Sequence, residues 1–217
     1  EEKGKIVERE WDIPTFRNVD DLLQATKPKF AVVSVPRKVA PEYIRALTER
    51  GVPVLTETPP AENLDDLLAL QDLIQAGARI QVAEQYHLQP LHAARIALAQ
   101  SGKLGTIHQV NISVCHDYHA ISLMRRLMGI HFENATIKAQ KFKFPIVDGP
   151  DRDGEPVKEQ EVQTEQILAT LDFNGKVGIY EFNNAQYFSW IRSLRLLVQG
   201  DRGAINNTNV TYLKAYQ

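Results

Sequence analysis

Apolar positions in the first hundred residues fall into short unbroken runs separated by stretches of helical period. Lys29-Phe-Ala-Val-Val-Ser-Val-Pro36 and Val52-Pro-Val-Leu-Thr56 are continuous apolar runs, the pattern of strands covered on both faces. Pro53 stands near the start of the second run, where a missing N–H is tolerated. Arg79-Ile-Gln-Val-Ala-Glu84 predicts a third strand. Between them, Pro41 opens a helix with Ile44 and Leu47 on one face and Gly51 just past its end. Asn63 caps another, with Asp66 in its first turn, and its period places Leu64, Leu67, Leu68 and Ile74 on the inner side before Gly77. A short helix at Val19-Asp-Asp-Leu-Leu precedes these elements, and one from Pro90 to Gln100 follows, ending near Gly102. The order β-α-β-α-β predicts a parallel sheet with right-handed crossovers.

After Gly105 the period shortens towards two. Ile107 to Val114 alternates as a strand, and residues 119–128 form a helix closed by Gly129. Strand patterns follow over residues 135–144, 162–173, 176–182 and 193–199, with a weaker pair around Ile205 and Tyr212. Asn174-Gly175 between two apolar runs is a strong hairpin signal. Asp148-Gly-Pro-Asp-Arg-Asp-Gly-Glu-Pro156 is a polar loop. This half is expected to be a mostly antiparallel sheet with one or two helices, open on one face. The boundary falls near Gly105, giving domains of residues 1–105 and 106–217, and residues 206–217 are strands without evident partners.

Composition narrows the classes without choosing among them. The 217 residues are 43% hydrophobic and 24% charged, long enough to bury a substantial core. A net charge of −2, with Lys and Arg scattered, offers no basic field for nucleic acid or an anionic membrane. Cys115 is the single cysteine, so there is no internal disulfide framework, and a reducing, cytoplasmic setting is expected. No apolar run approaches the roughly 20 residues that span a bilayer. The chain begins Glu-Glu-Lys, without a signal-peptide pattern.

Ligands of open parallel sheets sit beyond the carboxyl ends of the strands. Three loops lie there, each with polar or unusual residues: Pro36-Arg37-Lys38, Glu57-Thr58-Pro59-Pro60 and Glu84-Gln85-Tyr86-His87. Around them, the chain resembles the glucose–fructose oxidoreductase and inositol dehydrogenase (Gfo/Idh/MocA) family. The resemblance is carried by Val32-Val-Ser-Val-Pro36, Gly51-Val-Pro-Val-Leu-Thr-Glu57-Thr-Pro59, and residues 90–108 ending Ser101-Gly-Lys-Leu-Gly-Thr-Ile-His108. It continues through His119 to Gly129, about two thirds of the chain.

The resemblance implies an α/β plus α+β protein: the later part of a Rossmann parallel sheet, then an open, mostly antiparallel sheet domain. It implies NAD or NADP as cofactor, and hydride transfer to or from a sugar-like or polyol carbon. Ser34, Val35, Pro36, Glu57, Thr58 and Gln85 would contact the cofactor. Tyr86, His87, His116 and Tyr118 would face the substrate, and the catalytic residues would be His119, as general base, and Thr58, at the position of the family's Lys. The Gly-rich phosphate loop would lie upstream, and no G-x-G-x-x-G occurs in this sequence. Two positions depart from the family pattern. The usual Glu-Lys-Pro reads Glu57-Thr58-Pro59, and the Asp four residues before the His is Cys115. Thr58 keeps a hydrogen-bonding group without the reach or charge of Lys, while Asp117 or His116 could orient His119 in place of the lost carboxylate. These departures set an active dehydrogenase beside a degenerate member that binds nucleotide as a sensor or partner protein. Elimination or hydrolysis through transient oxidation is a third option.

Each of these residues also has a plainer reading. His119 could be a helix-start histidine bonded to backbone, Glu57-Thr58 a stiff turn, and Glu84 to His87 a solvated loop. Cys115 with His119 could meet across one helical turn as metal ligands, but no second ligand cluster accompanies them. A small core thiol is the expectation, with no metal. Gln186-Tyr-Phe-Ser-Trp-Ile-Arg192 suits carbohydrate stacking, a subunit interface or an ordinary sheet face. The open sheet, with Tyr180 and Phe182, predicts a homo-oligomer.

Overall fold

The computed structural model describes residues 2–215, which divide into two compact units, Glu1–Glu84 and Gln85–Gln217. The first unit begins with α1 (Glu2–Trp11) and α2 (Val19–Ala25). It continues β1 (Ala31–Val33), α3 (Ala40–Glu49), β2 (Val54–Thr56), α4 (Leu64–Gln75) and β3 (Ile80–Val82). The strands form a parallel sheet in the order β1-β2-β3, as the apolar runs predict. Ile44 and Leu47 of α3 pack with Val33, Val54 and Leu70 to make its core. Asn18 and Asn63 cap α2 and α4 by accepting the Asp21 and Asp66 N–H groups at 2.8 and 2.9 Å.

Two expectations fail in this unit. The inner face of α4 is not Leu64, Leu67, Leu68 and Ile74, all of which are exposed; Leu70 is buried and Leu73 packs beside it. Apolar residues surround so much of α4 that spacing alone does not select the stripe that meets the sheet. Helix α1 has no counterpart among the sequence expectations; its few apolar residues, Ile6, Val7 and Trp11, stand among charged ones, and it buries no residue.

The second unit opens with a 3-10 turn (Tyr86–Leu88) and α5 (Pro90–Gln100), followed by β4 (Ile107–Ser113) and α6 (Asp117–Met128). It then adds β5 (Thr136–Val147), β6 (Glu161–Asp172), β7 (Val177–Asn183), β8 (Arg195–Gly200), β9 (Gly203–Asn206) and β10 (Asn209–Tyr212). The seven strands make one sheet in the order β10-β9-β8-β4-β7-β6-β5. Its pairings are antiparallel except β4 with β7, which run parallel because α6 and the β5–β6 hairpin return the chain between them. The Asn174-Gly175 turn joins β6 to β7, with both residues at positive φ.

The last segment is not unpartnered. β9 pairs with β8, and β10 with β9. Sequence patterning separated the halves near Gly105, whereas the compact units divide after Glu84; α5 packs against α6 and so counts with the second unit. The core of this unit lies between α6 and the sheet, where Ile112, Leu123, Met124, Leu196 and Ile205 are fully buried. Each such side chain contributes roughly 1.5–3 kcal/mol of hydrophobic stabilisation. Gly129 ends α6 in the left-handed conformation (φ 64°), and both its N–H and that of Ile130 reach the Arg125 carbonyl.

Candidate active site

Within the first unit, parallel pairing brings the carboxyl ends of β1, β2 and β3 to one edge. The loops leaving that edge carry Ser34, Val35 and Pro36 after β1, Glu57 and Thr58 after β2, and Glu84 after β3. Ser34, Val35, Pro36 and Glu57 are exposed and Thr58 is half-buried. The Glu57 N–H donates to the Val33 carbonyl at 3.0 Å, which extends the β1–β2 pairing and holds the loop at the sheet edge. The Glu57 carboxylate accepts the Thr58 N–H at 3.2 Å.

Within the second unit, the predicted substrate-facing residues converge. The N-terminus of α6 supplies His116, Tyr118 and His119, and the 3-10 turn supplies Tyr86. The His119 ring is 4.4 Å from that of Tyr118, 4.6 Å from Tyr86 and 4.9 Å from His116, the last edge-on. His119 is only 6% exposed, so it lies under these rings rather than on the surface. Its ring neighbour is His116, whereas the Asp117 carboxylate accepts the Tyr180 hydroxyl at 3.3 Å. His87 lies half-buried in the same 3-10 turn, and Gln85, exposed, precedes it.

Tyr180 and Tyr187, from β7 and the short 3-10 turn after it, hold this cluster. The Tyr180 oxygen accepts the Asp117 N–H at 3.0 Å, fixing a residue at φ 40°, a backbone conformation that only Gly adopts without strain. The Tyr187 oxygen accepts the His116 N–H at 3.0 Å and the Tyr86 hydroxyl at 3.5 Å, and lies 2.6 Å from His116 Nδ1. Tyr187 thus ties both the backbone N–H and the ring of His116 to one hydroxyl. Burial pushes the Tyr180 phenol up to about 12. Burial and then the hydrogen bond with Tyr86 push Tyr187 well above the ordinary range. Both phenols therefore keep the protons these bonds need at neutral pH.

A second polar pair supports α5. His92 and Arg95 are 7% and 6% exposed; Arg95 Nε donates to the Asn207 carbonyl at 2.9 Å and Nη1 lies 3.2 Å from His92 Nδ1. Burial, and then the adjacent guanidinium, lower His92 to about 4, so it is neutral and accepts from Arg95 at Nδ1. Spacing of i and i+3 on an otherwise apolar helix is a signal for this pair that the sequence reading passed over. Tyr187 was visible only as part of an aromatic run, and nothing local connects it to His116, 71 residues away.

Cys115 is fully buried in the core cluster. Among the described residues, no group of three or more His, Cys, Asp or Glu is placed to hold a metal ion. No described helix is long and apolar enough to cross a membrane.

Comparison with known proteins locates this architecture. Residues 1–86 match the Gfo/Idh/MocA model, described as an oxidoreductase family with an NAD-binding Rossmann fold. No curated protein matches the sequence. Among solved structures, GenD2 from gentamicin A biosynthesis, in complex with NAD, is 18% identical with a TM-score of 0.71, over 95% of this chain and 62% of its own. An Agrobacterium radiobacter oxidoreductase bound to NAD+, L-tartaric acid and magnesium is 17% identical with a TM-score of 0.72, over 97% of this chain and 66% of its own. The WlbA dehydrogenase of Chromobacterium violaceum, bound to NADH and UDP-GlcNAcA, is 14% identical with a TM-score of 0.71, over 98% of this chain and 67% of its own. This chain thus spans just under two thirds of the length of the first two. Residues 1–86 thus match the NAD-binding Rossmann fold of the Gfo/Idh/MocA oxidoreductase family, and the chain as a whole shares the fold of these solved oxidoreductase structures.

Proposed function

We propose that this chain forms part of an NAD(P)-dependent oxidoreductase acting on a sugar-like or polyol substrate, with His119 as the proton acceptor. The observation that carries the reading is the packing of His119, held by Tyr86, Tyr118 and His116 at the start of α6. The carboxyl edge of the first unit fits the nicotinamide end of a dinucleotide: Glu57 offers a carboxylate, Thr58 a hydroxyl, and the loop of Ser34 to Pro36 a small exposed surface. When bound, the cofactor supplies the hydride acceptor at its nicotinamide ring. The substrate carbon gives up its hydrogen with the electron pair, and the hydroxyl proton passes to an imidazole nitrogen of His119. His116, fixed by Tyr187, holds one edge of that imidazole, and the tyrosine rings exclude water from it.

The test is titration of the full-length protein with NADH and NADPH by fluorescence, followed by turnover across a sugar and polyol panel. Binding is expected, and His119→Asn is expected to lower kcat by roughly 10²–10⁴-fold with cofactor affinity unchanged. Absence of binding to either nucleotide overturns the reading.

A degenerate, nucleotide-binding protein is the second reading, favoured by the burial of Cys115. A thiol with no exposed surface cannot contact substrate as a carboxylate at that position would. It predicts cofactor binding without hydride transfer, and measurable activity on Thr58→Lys. Turnover by the unmodified protein removes it.

A further inference from the structure

A concave pocket of about 650 Å³ runs along the outer face of α6, with Gln100 of α5 on one wall. Tyr118, Ser122 and Arg125 stand at i, i+4 and i+7 and so share that face, while Arg126 and His131 close its far end. The volume is that of a small-molecule site, and three cationic or proton-accepting side chains line it with no carboxylate. Neither arginine forms an ion pair with a described carboxylate. Glu133, on the loop beyond, has its carboxylate on the His131 N–H at 2.6 Å.

Basic residues in a last helical turn often serve only to offset the negative end of the helix. Here that need is met otherwise. Lys176 Nζ reaches the Met128 carbonyl at 2.8 Å, and the Gly129 and Ile130 N–H groups take the Arg125 carbonyl. Arg125 is instead set against the Phe132 ring, 5.4 Å from its centroid, which orients the guanidinium without neutralising it.

We infer that this pocket binds an anionic substituent, phosphate or carboxylate, of the ligand whose hydroxyl meets His119. Tyr118 is the shared wall: it lines the pocket, and its ring is 4.4 Å from that of His119. At 1.5 Å rise per residue, Arg125 and Arg126 lie about 9–10 Å along the helix from His119. The ligand is therefore a polyhydroxylated molecule carrying its negative charge about that far from the reacting hydroxyl. This deepens the proposed function and depends on it only for the role of His119; the anion site is tested without turnover.

Calorimetric titration of the full-length protein with inorganic pyrophosphate and with D-glucuronate provides the test, alongside a parallel NADH titration. One of the two anions is expected to bind at a single site, more weakly as ionic strength rises. Arg125→Gln/Arg126→Gln is expected to weaken it at least tenfold and leave NADH binding unchanged. Ser122→Trp, which fills the cavity and removes no charge, should abolish anion binding and so serves if the double variant does not fold. The inference is overturned if neither anion binds the unmodified protein, or if anion affinity survives both variants. A failure of NADH binding alone would count against the dehydrogenase reading and not against the anion site.

Discussion

Acid is expected to destabilise the second unit through His92. In the folded chain burial, and then the neighbouring Arg95 guanidinium, hold this imidazole at about 4, against 6.5 when exposed. Between about pH 4 and 6.5 the unfolded chain therefore binds a proton that the folded chain refuses, so stability falls as pH falls through that window. The loss starts near pH 6.5 and is complete below pH 4. With about 1.4 kcal/mol per pH unit, it is negligible at pH 7.5, about 1.4 kcal/mol at pH 5.5 and about 3 kcal/mol at pH 4. Protonation would place a positive N–H at Nδ1, the atom that faces Arg95 Nη1 at 3.2 Å, and would break that contact within α5, beside the Arg95 bond to the Asn207 carbonyl. Other groups titrate over the same range, so the measurement is a comparison. Urea unfolding at pH 7.5 and 5.5 is run on the unmodified chain and on His92→Gln, whose amide oxygen can still accept from Arg95 and never takes a proton. The unmodified chain should lose about 1.4 kcal/mol more than the variant over that interval, a midpoint difference of roughly 0.5–1 M urea. Parallel losses in the two proteins would refute a buried, neutral His92.

Three further substitutions probe the framework of the site. Tyr187→Phe removes the hydroxyl that receives the His116 N–H and bonds its ring; it should cost about 1–3 kcal/mol in thermal unfolding and lower kcat more than cofactor affinity, and an unchanged Tm would count against it. Gly178→Ala on β7 sets a β-carbon 2.1 Å from Met124 Sδ. A loss of about 1–3 kcal/mol is expected, partly recovered when Met124→Ala is added, and strict additivity in the double-mutant cycle would exclude that contact. Asn63→Ala removes the cap of α4 and should cost about 1 kcal/mol, seen as faster amide exchange in the first turn of that helix and nowhere in the second unit.

Much of the architecture was legible in the order of residues because it depends on local rules. Continuous apolar runs bounded by Pro and Gly marked β1 and β2, Asn63 marked the start of α4, and Asn174-Gly175 set the β6–β7 hairpin, since turn chemistry and residue period act over a few positions. The same local logic put His116, Tyr118 and His119 together at the head of one helix. What it could not decide was anything settled by a partner distant in sequence. Which stripe of α4 is buried depends on the sheet it meets. The parallel pairing of β4 with β7 and the docking of β9 and β10 depend on strands brought back across long connections. Tyr180 and Tyr187 bond to Asp117 and His116 across 63 and 71 residues, and Arg95 reaches Asn207 across 112. Sequence alone thus determined most of the elements, α1 excepted, and where candidate chemistry stands on them. The tertiary structure decided which faces are buried and which distant hydroxyls hold the histidines, because burial and hydrogen bonding are satisfied by neighbours in space.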